Sequence, residues 1–200
     1  MEFNIKSVDE LIKDFNLFVT TERGFEGTAS SDLWIALREI GDEKPVVDRG
    51  LTRGSIVAKT SFDPVEAVNR LRGELSRHPM GFRWIYRIIP IERTVSTGIQ
   101  NIVETATELS SRVREEDSYR ITVEKRRTNL RSREVIEAVA AGIDRRVDLE
   151  NPDWVVLIEI FGKITGISVV NPKSILNIQK ELAESSTSCK ESPPLDDERG

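Results

Sequence analysis

The sequence predicts an α+β or α/β protein in which an N-terminal ferredoxin-like domain precedes a second α/β domain. Up to residue 93, segments with strand and helix periodicity follow one another in the order strand, helix, strand, strand, helix, strand, which is the ferredoxin-like order. From Thr97 onward, a helix, a strand, a second helix and two strands follow. The length of 200 residues and the hydrophobic content of 38% suffice for two small cores.

The chain is predicted to divide into an N-terminal helix or extension, the two domains, a C-terminal helix and an acidic tail. These parts occupy residues 1–14, 15–94, 95–171, 172–182 and 183–200, respectively. The tail combines five acidic and two basic residues with Ser and Pro, and it has almost no apolar side chain to bury. The sequence therefore predicts that the tail is disordered.

The first half of the ferredoxin-like domain begins after a short helix. A capping box at Ser7–Glu10 predicts the start of this helix, which is expected to run to about Phe15. The run FNLFVTT, residues 15–21, is rich in strand-forming residues and predicts the first strand. A glycine-containing loop over 23–31 then precedes a helix over 32–40. Its predicted inward side chains are Leu33, Leu37 and Ile40, with Trp34 alongside, and Gly41 is placed to end it.

The second half of this domain contains two short strands, a helix and a longer strand. The runs PVVD and SIVAKTS predict strands around Val46 and Ile56, and the sequence RGLTRG between them predicts a turn. Asp63 followed by Pro64 predicts the start of a helix, with the side chain of Asp63 as its N-cap. The predicted buried face of that helix consists of Val65, Val68, Leu71 and Leu75. The run FRWIYRIIPI, residues 82–91, predicts the last strand.

The second domain is predicted to open with a helix over 97–114. Its apolar positions recur at helical spacing. The segment from Tyr119 alternates apolar and polar residues, which predicts a half-exposed strand. Ser132 is predicted to cap a helix that ends near Arg146. Two strands over 154–171 are predicted to meet near Gly162, and the continuous apolar run Val155–Ile160 predicts that the first of them is covered on both faces.

The composition excludes several kinds of site. Cys189 and His78 are the only residues of their types, so the chain has neither an internal disulfide nor a cysteine-rich zinc site. His78 precedes Pro79 at a predicted helix end, which is typical of a cap or a surface imidazole. The chain also has no glycine motif for a dinucleotide or for a nucleotide triphosphate. The sequence therefore predicts no catalytic residue, no cofactor and no metal.

The sequence also predicts a protein without a membrane partner. No apolar run approaches the roughly 20 residues that a helix needs to cross a bilayer. The N-terminus, MEFNIKSVDE, has no cationic region followed by an apolar one, as an export signal has. We therefore expect a cytoplasmic location.

One basic stretch stands out in a chain with a net charge of −5. Residues 118–133 contain six basic residues and one acidic residue, and they span a predicted strand end and a predicted helix start. Guanidinium groups bind phosphate oxygens in pairs of hydrogen bonds, and a helix start adds unpaired N–H groups. The predicted phosphate-binding residues are Arg120, Lys125, Arg126, Arg127, Thr128, Asn129, Arg131 and Arg133. Charge alone equally allows a solvated edge in which Glu124, Glu134 and Glu137 pair with these residues.

Sequence motifs in the second domain give this stretch a context. The segment YRITVEKRR leads into SREVIEAVAAGIDRRVDLENPDWVVLIEIFGKITGISVV, which contains V-D-L-x-x-P-D as Val147-Asp148-Leu149 and Pro152-Asp153. This pattern resembles the THUMP domain, a module of enzymes and adaptors that act on transfer RNA. The preceding ferredoxin-like unit resembles the domain that habitually comes before THUMP modules. Together the resemblance covers Phe15 to Asn171.

The resemblance implies a function in transfer RNA modification. In the family, the two domains hold transfer RNA at the acceptor stem and its 3′ end, and a separate domain supplies the chemistry. We expect no such domain here, since only a helix and a polar tail follow Asn171. The chain is therefore similar to the stand-alone THUMP proteins that present transfer RNA to a tRNA cytidine acetyltransferase, which makes N4-acetylcytidine. The resemblance implies that Lys125, Arg126, Arg127, Arg131 and Arg133 hold the RNA backbone and that Arg120 is an outer contact.

Two other functions stay open at this point. The first is that the chain itself modifies RNA through an active site that no motif reveals. The second is that it is a protein-interaction module whose basic patch meets an acidic partner. Turnover by the purified chain would favour the first alternative, and competition between RNA and a protein partner would identify the second.

Overall fold

The first domain has the ferredoxin-like order that the sequence predicts. The computed structural model describes residues 13–50 and 52–188. The elements of this domain are β1 (Leu17–Thr21), α1 (Glu26–Glu39), β2 (Val46–Arg49), β3 (Ser55–Lys59), α2 (Pro64–Arg77), a 3-10 helix (Pro79–Phe82) and β4 (Ile85–Pro90). In the sheet, β1 lies between β4 and β3, β2 lies beside β3, and all three pairs are antiparallel.

The second domain contains a second sheet of five strands. Its elements are β5 (Arg93–Ser96), α3 (Ile99–Ser110), β6 (Ser118–Arg126), α4 (Ser132–Ala140), β7 (Arg146–Val147), β8 (Trp154–Phe161) and β9 (Ile164–Val170). The strand order is β5-β9-β8-β6-β7, in which β6 runs parallel to its neighbours and the other pairs are antiparallel. The hairpin between β8 and β9 turns at Gly162, whose φ of 63° is in the left-handed region, as the predicted turn requires.

Several predicted boundaries are wrong, and local hydrogen bonding explains the largest error. Helix α1 begins six residues before the predicted start at residue 32. Its first turns contain Gly27, Ser30 and Ser31, whose composition is typical of a loop. The hydroxyl groups of Ser30 and Ser31 instead donate to the carbonyl oxygens of Glu26 and Gly27, at 2.8 and 3.2 Å, so they satisfy their hydrogen bonds inside the helix.

Other elements differ from the prediction by a few residues. Strand β4 begins at Ile85 because the preceding residues form the 3-10 helix. Helix α4 ends at Ala140 instead of near Arg146, and its N-cap is Arg131 and not Ser132. The N-cap of α2 is as predicted, since the Asp63 carboxylate accepts hydrogen bonds from two backbone N–H groups at 3.0 and 3.1 Å. The capping box at Ser7–Glu10 lies outside the described residues.

The chain returns to the first sheet after the second domain. Residues 172–182 are predicted as one helix, but they contain a 3-10 helix (Pro172–Ser174), strand β10 (Leu176–Asn177) and the start of α5 (Ile178–Ser188). Strand β10 pairs with β4 and makes the first sheet five-stranded. Helix α5 also continues through residues 183–188, which are predicted as part of the disordered tail. Residues 189–200 of that tail lie outside the described residues.

The two sheets pack against each other, and helices cover their outer faces. Residues of β8 alternate between two cores: Val156 and Ile158 pack under helices of the second domain, whereas Val155 and Leu157 pack against the first sheet. This arrangement confirms the prediction that β8 is covered on both faces. The layer between the sheets includes Phe18 from β1 and other buried apolar residues, so the domains share this layer in addition to the core that each has under its helices. Among the described helices, none has the length and apolarity needed to cross a membrane.

Two aspartates fix the start of β6 in the second domain. The Asp117 carboxylate accepts hydrogen bonds from the Arg114 guanidinium at 2.8 and 3.1 Å and from the Trp154 indole at 3.0 Å. Asp153, the last residue of the V-D-L-x-x-P-D motif, accepts from the backbone N–H and the hydroxyl of Ser118, at 2.8 and 2.7 Å. This motif therefore has a structural role, because it ties the loop before β8 to the start of β6.

The Asp117 contacts predict a specific dependence of stability on pH. The Arg114 and Trp154 hydrogen bonds lower the pKa of Asp117 from its ordinary 3.8 to about 2. Because the folded state binds the proton more weakly, this carboxylate stabilises the fold above pH 3.8, and that contribution is lost as the pH falls toward 2. We expect Asp117→Asn to be less stable than the wild type at neutral pH and to show a smaller loss of stability on acidification. Urea unfolding of both proteins over this pH range measures the difference, and parallel curves would contradict the prediction.

Candidate nucleic-acid interface

The structure distributes the predicted basic residues over different surroundings. Arg120 lies near the start of β6, and Lys125–Arg127 lie at its other end, about 16 Å away at about 3.3 Å per residue. One Nη atom of Arg120 donates to the carbonyl of Leu149 at 3.3 Å, and the residue lines a groove with Asn151 and Pro152. Arg120 is therefore not close to the other predicted residues.

Arg126 points into the layer between the two sheets. Its Nη1 atom lies 2.9 Å from Oε2 of Glu159, a buried residue of β8, and its guanidinium lies 5.3 and 5.5 Å from the ring centres of Phe18 and Phe161. Burial raises the pKa of Glu159, and the nearby Arg126 opposes this effect. The geometry therefore gives Arg126 a structural contact at the domain interface.

Arg127 leaves the strand in a conformation that places it at the mouth of a cleft. Its φ of 55° makes it the one non-glycine residue of the described chain in the left-handed region, which costs roughly 1–2 kcal/mol. The neighbouring hairpin fits closely around this turn, since the N–H of Gly162 donates to the carbonyl of Arg126 at 2.9 Å. Arg127 thus turns away from Arg126 and toward the loops of the first domain.

The cleft lies between the two domains and is lined mainly by arginine and glycine. Its volume is about 550 Å³. Arg23 comes from the loop between β1 and α1, Arg49 and Arg53 come from the end of β2 and the turn that follows, and Arg127 comes from the second domain. We call this site the arginine cleft. Among the described residues, these four arginines form no salt bridge, so their charge is available to a ligand.

Glu26 holds the two loops of the first domain together at this cleft. Its two carboxylate oxygens accept from the N–H of Gly54 at 2.6 Å and the N–H of Gly24 at 3.0 Å. Both glycines have positive φ, 77° and 88°. A Cβ at Gly54 would also lie 3.1 Å from Cγ of Arg23, so the turn needs glycine there. Glu26 therefore holds the backbone of the two loops that carry Arg23 and Arg53 side by side.

The carboxylate of Glu26 is fully used by these backbone contacts. The hydrogen bond from Gly54 is the largest cause that lowers the pKa of Glu26, and the charge of Arg49 lowers it further. Glu26 is the one carboxylate among the described residues that line the cleft. Because its pKa is lowered, this carboxylate is a weak base, and each of its oxygens already accepts a backbone hydrogen bond, so it is poorly suited to act as a general base.

The remaining predicted residues lie around the start of α4. Thr128 and Asn129 line a second groove, together with Gly98 and Lys163, at the N-terminus of α3. The Lys125 ammonium donates to the carbonyl of Leu130 at 2.8 Å. Arg131 is exposed at the N-cap of α4, and Arg133 pairs with Glu137 at 2.6 Å on the surface of that helix.

The first domain contributes three arginines that the sequence does not single out as ligands. Arg23, Arg49 and Arg53 occur in the segments RGFEG and DRGLTRG, where the glycines alone are assigned a role, as turn residues. The signal that identifies these arginines is the ferredoxin-like order itself. This order brings the loop after β1 and the turn between β2 and β3 to the same end of the sheet.

Comparison with known proteins relates the second domain to a family. Residues 96–170 match the family model of the THUMP domain. A comparison of the whole chain with curated proteins finds no match.

Solved structures share the fold over most of the chain. The crystal structure of PH1313 from Pyrococcus horikoshii is 22% identical over 78% of this chain and 54% of that one, with a TM-score of 0.63. TrmN from Thermus thermophilus is 16% identical over 78% and 45%, with a TM-score of 0.51. A predicted N6-adenine-specific DNA methylase from Listeria monocytogenes is 11% identical over 78% and 40%, with a TM-score of 0.50. This chain thus spans about half the length of these structures.

Proposed function

We propose that this chain, which contains a THUMP domain over residues 96–170, is a non-catalytic adaptor that binds transfer RNA and presents it to a modification enzyme. A THUMP domain implies RNA binding. The finer steps of the proposal are that the RNA is transfer RNA, held at its acceptor stem and 3′ end, and that the enzyme is a tRNA cytidine acetyltransferase. These steps are supported by the resemblance of the chain to stand-alone THUMP proteins.

The observation that carries the proposal is the arginine cleft. Four guanidinium groups without salt bridges to described residues line one cleft, and they come from both domains. Arginine is well suited to bind phosphate, because its donors match two phosphate oxygens at once. The chain is acidic overall, so phosphate groups are attracted to this cleft and repelled elsewhere.

The chemistry of the cleft supports a binding role over a catalytic one. Its lining consists of arginines, glycines, hydroxyl residues and Glu26, whose carboxylate already accepts two backbone hydrogen bonds. The chain's one histidine, His78, is the exposed C-cap of α2 and does not line this cleft. Among the described residues that line the cleft, the side chains therefore favour binding a phosphate over moving a proton during a reaction.

Reconstitution with the acetyltransferase tests the adaptor role. We expect the chain to increase the rate of N4-acetylcytidine formation on transfer RNA, and we expect Arg53→Ala/Arg127→Ala to lose most of this increase. Arg93→Ala/Lys180→Ala serves as the matched control, because it removes the same charge at exposed positions outside the cleft, and it should stimulate like the wild type. The product is measured by mass spectrometry of digested RNA.

Two outcomes would contradict this proposal in different ways. Transfer of an acetyl or methyl group by the purified chain alone, with acetyl-CoA or S-adenosylmethionine as donor, would show that the chain is itself an enzyme. Methyl transfer is included because one similar structure is described as a methylase. RNA binding without any stimulation of the acetyltransferase would overturn the choice of that enzyme as partner.

A further inference from the structure

Two aromatic side chains form an exposed stack beside the arginine cleft. The rings of Phe25 and Trp84 are nearly parallel, with an angle of 7° and a distance of 3.7 Å between their centres. Phe25 is 39% exposed, and Trp84 covers one face of its ring. The guanidinium of Arg83 lies 4.8 Å from the Trp84 ring centre.

The stack lies directly next to cleft residues along the chain. Phe25 follows Arg23 and Gly24 and precedes Glu26, and all three of these residues line the cleft. The antiparallel pairing of β1 with β4 places Trp84 at the same end of the sheet, since Thr21 pairs with Ile85. The stack therefore lies at the same end of the first sheet as the loops that line the arginine cleft.

Hydrogen bonds fix the stack in place before any ligand arrives. The N–H of Glu22 donates to the carbonyl of Trp84 at 2.9 Å, and the N–H of Phe25 donates to the carbonyl of Glu22 at 3.2 Å. The Tyr86 hydroxyl donates to the Glu22 carboxylate. Trp84 also packs against the core of the first domain. Binding on this surface therefore costs little ordering of the protein.

We infer that the Phe25–Trp84 stack binds an unpaired RNA base, so that the arginine cleft takes a single-stranded segment at this end. Aromatic side chains next to a basic groove are the usual arrangement for single-stranded nucleic acid, because each base offers a flat face for stacking. Within a duplex, both faces of a base are covered by neighbouring base pairs, and only an unpaired or terminal base can stack here. This inference rests on the proposed RNA-binding function.

Three RNA probes test the inference: a short single strand, a blunt hairpin, and the same hairpin with a single-stranded 3′ overhang. We expect Phe25→Leu to weaken binding of the single strand and of the overhang hairpin by about tenfold, which is the contribution of one base stacked on an aromatic side chain. Binding of the blunt hairpin should change much less, because only its loop and its terminal pair offer a base with a free face. Because the substitution removes no charge, the dependence of affinity on salt should also stay the same.

Trp34→Leu is the matched control. Trp34 is also exposed, at 46%, and it lies near an arginine, Arg38, but it is on α1 outside the cleft. We expect this variant to bind all three probes like the wild type. Circular dichroism and urea unfolding of both variants show whether the fold is retained, and Phe25→Tyr, which keeps a flat ring, should restore binding.

The outcomes separate this inference from the proposed function. Equal affinity of Phe25→Leu and the wild type for the single strand would overturn the stacking site, and so would an equal loss for all three probes. If Arg53→Ala/Arg127→Ala weakens binding in the same experiment, the proposed function stands without the stacking site. If the wild type binds none of the probes, both are wrong.

Discussion

Replacing Arg53 and Arg127 together by alanine is expected to lower the affinity for transfer RNA by about 30-fold at 0.1 M salt. Each phosphate contact contributes a slope of roughly 0.7 to 0.9 to the dependence of log affinity on log salt concentration, so two lost contacts reduce the slope by about 1.4 to 1.8. The choice of these two arginines is deliberate, because one comes from each domain and both line the arginine cleft. Binding titrations at several salt concentrations measure both quantities.

The control for this experiment removes the same charge from other places. Arg93 and Lys180 are exposed and pair with Glu108 and Glu184, at 3.4 and 3.8 Å. We expect Arg93→Ala/Lys180→Ala to change the affinity by less than about threefold, since surface ion pairs contribute little. An equal loss in both double variants would mean that overall charge, and not the cleft, attracts the RNA. A loss in the control alone would mean that a surface outside the cleft binds the RNA.

The order of most elements can be predicted from the sequence, but the short edge strands β5 and β10 cannot. Helix α2 shows its period in the apolar residues and β8 shows a continuous apolar run, and the order of the longer elements follows from such signals. Strands β5 and β10 have four and two residues, which are too few to show a period. Their positions depend on pairing with β9 and β4, distant parts of the chain, and no local pattern specifies such pairing.

The residues of the candidate site also divide into those that the sequence predicts and those that only the fold reveals. Arg127 belongs to a dense basic run that charge alone makes visible. Arg23, Arg49 and Arg53 are spread through two loops, and only the folded chain brings them to Arg127. Arg126 is a different case: the run includes it as a ligand, whereas alternation along β6 turns its side chain toward the first sheet. The apolar run of β8 predicts that both faces of that strand are covered, but the sequence does not show that the cover over Arg126 is the first sheet.

Arg126→Ala is expected to lower the free energy of unfolding by about 3 kcal/mol. Removal of one partner from a buried ion pair leaves the other charge uncompensated and typically costs 3–5 kcal/mol, and partial exposure of Arg126 places the expected loss at the lower end. The substitution also removes the contacts of its side chain with Phe18 and Phe161. Urea unfolding measures the loss, and a change of less than about 1 kcal/mol would contradict the buried-pair assignment.

A second substitution and a change of pH identify the cause of that loss. Burial raises the pKa of Glu159, so without Arg126 the destabilisation should be largest at neutral pH and should shrink as the pH falls and the carboxyl group takes up a proton. Arg126→Ala/Glu159→Gln should recover more than half of the lost stability, because no buried charge remains. If it recovers nothing, packing on the two rings is the dominant contribution. The same variants decide between the two roles of Arg126. If the salt dependence of RNA binding becomes shallower and stability is kept, Arg126 makes the phosphate contact that the sequence predicts. If stability is lost and the salt dependence is unchanged, Arg126 holds the two domains together.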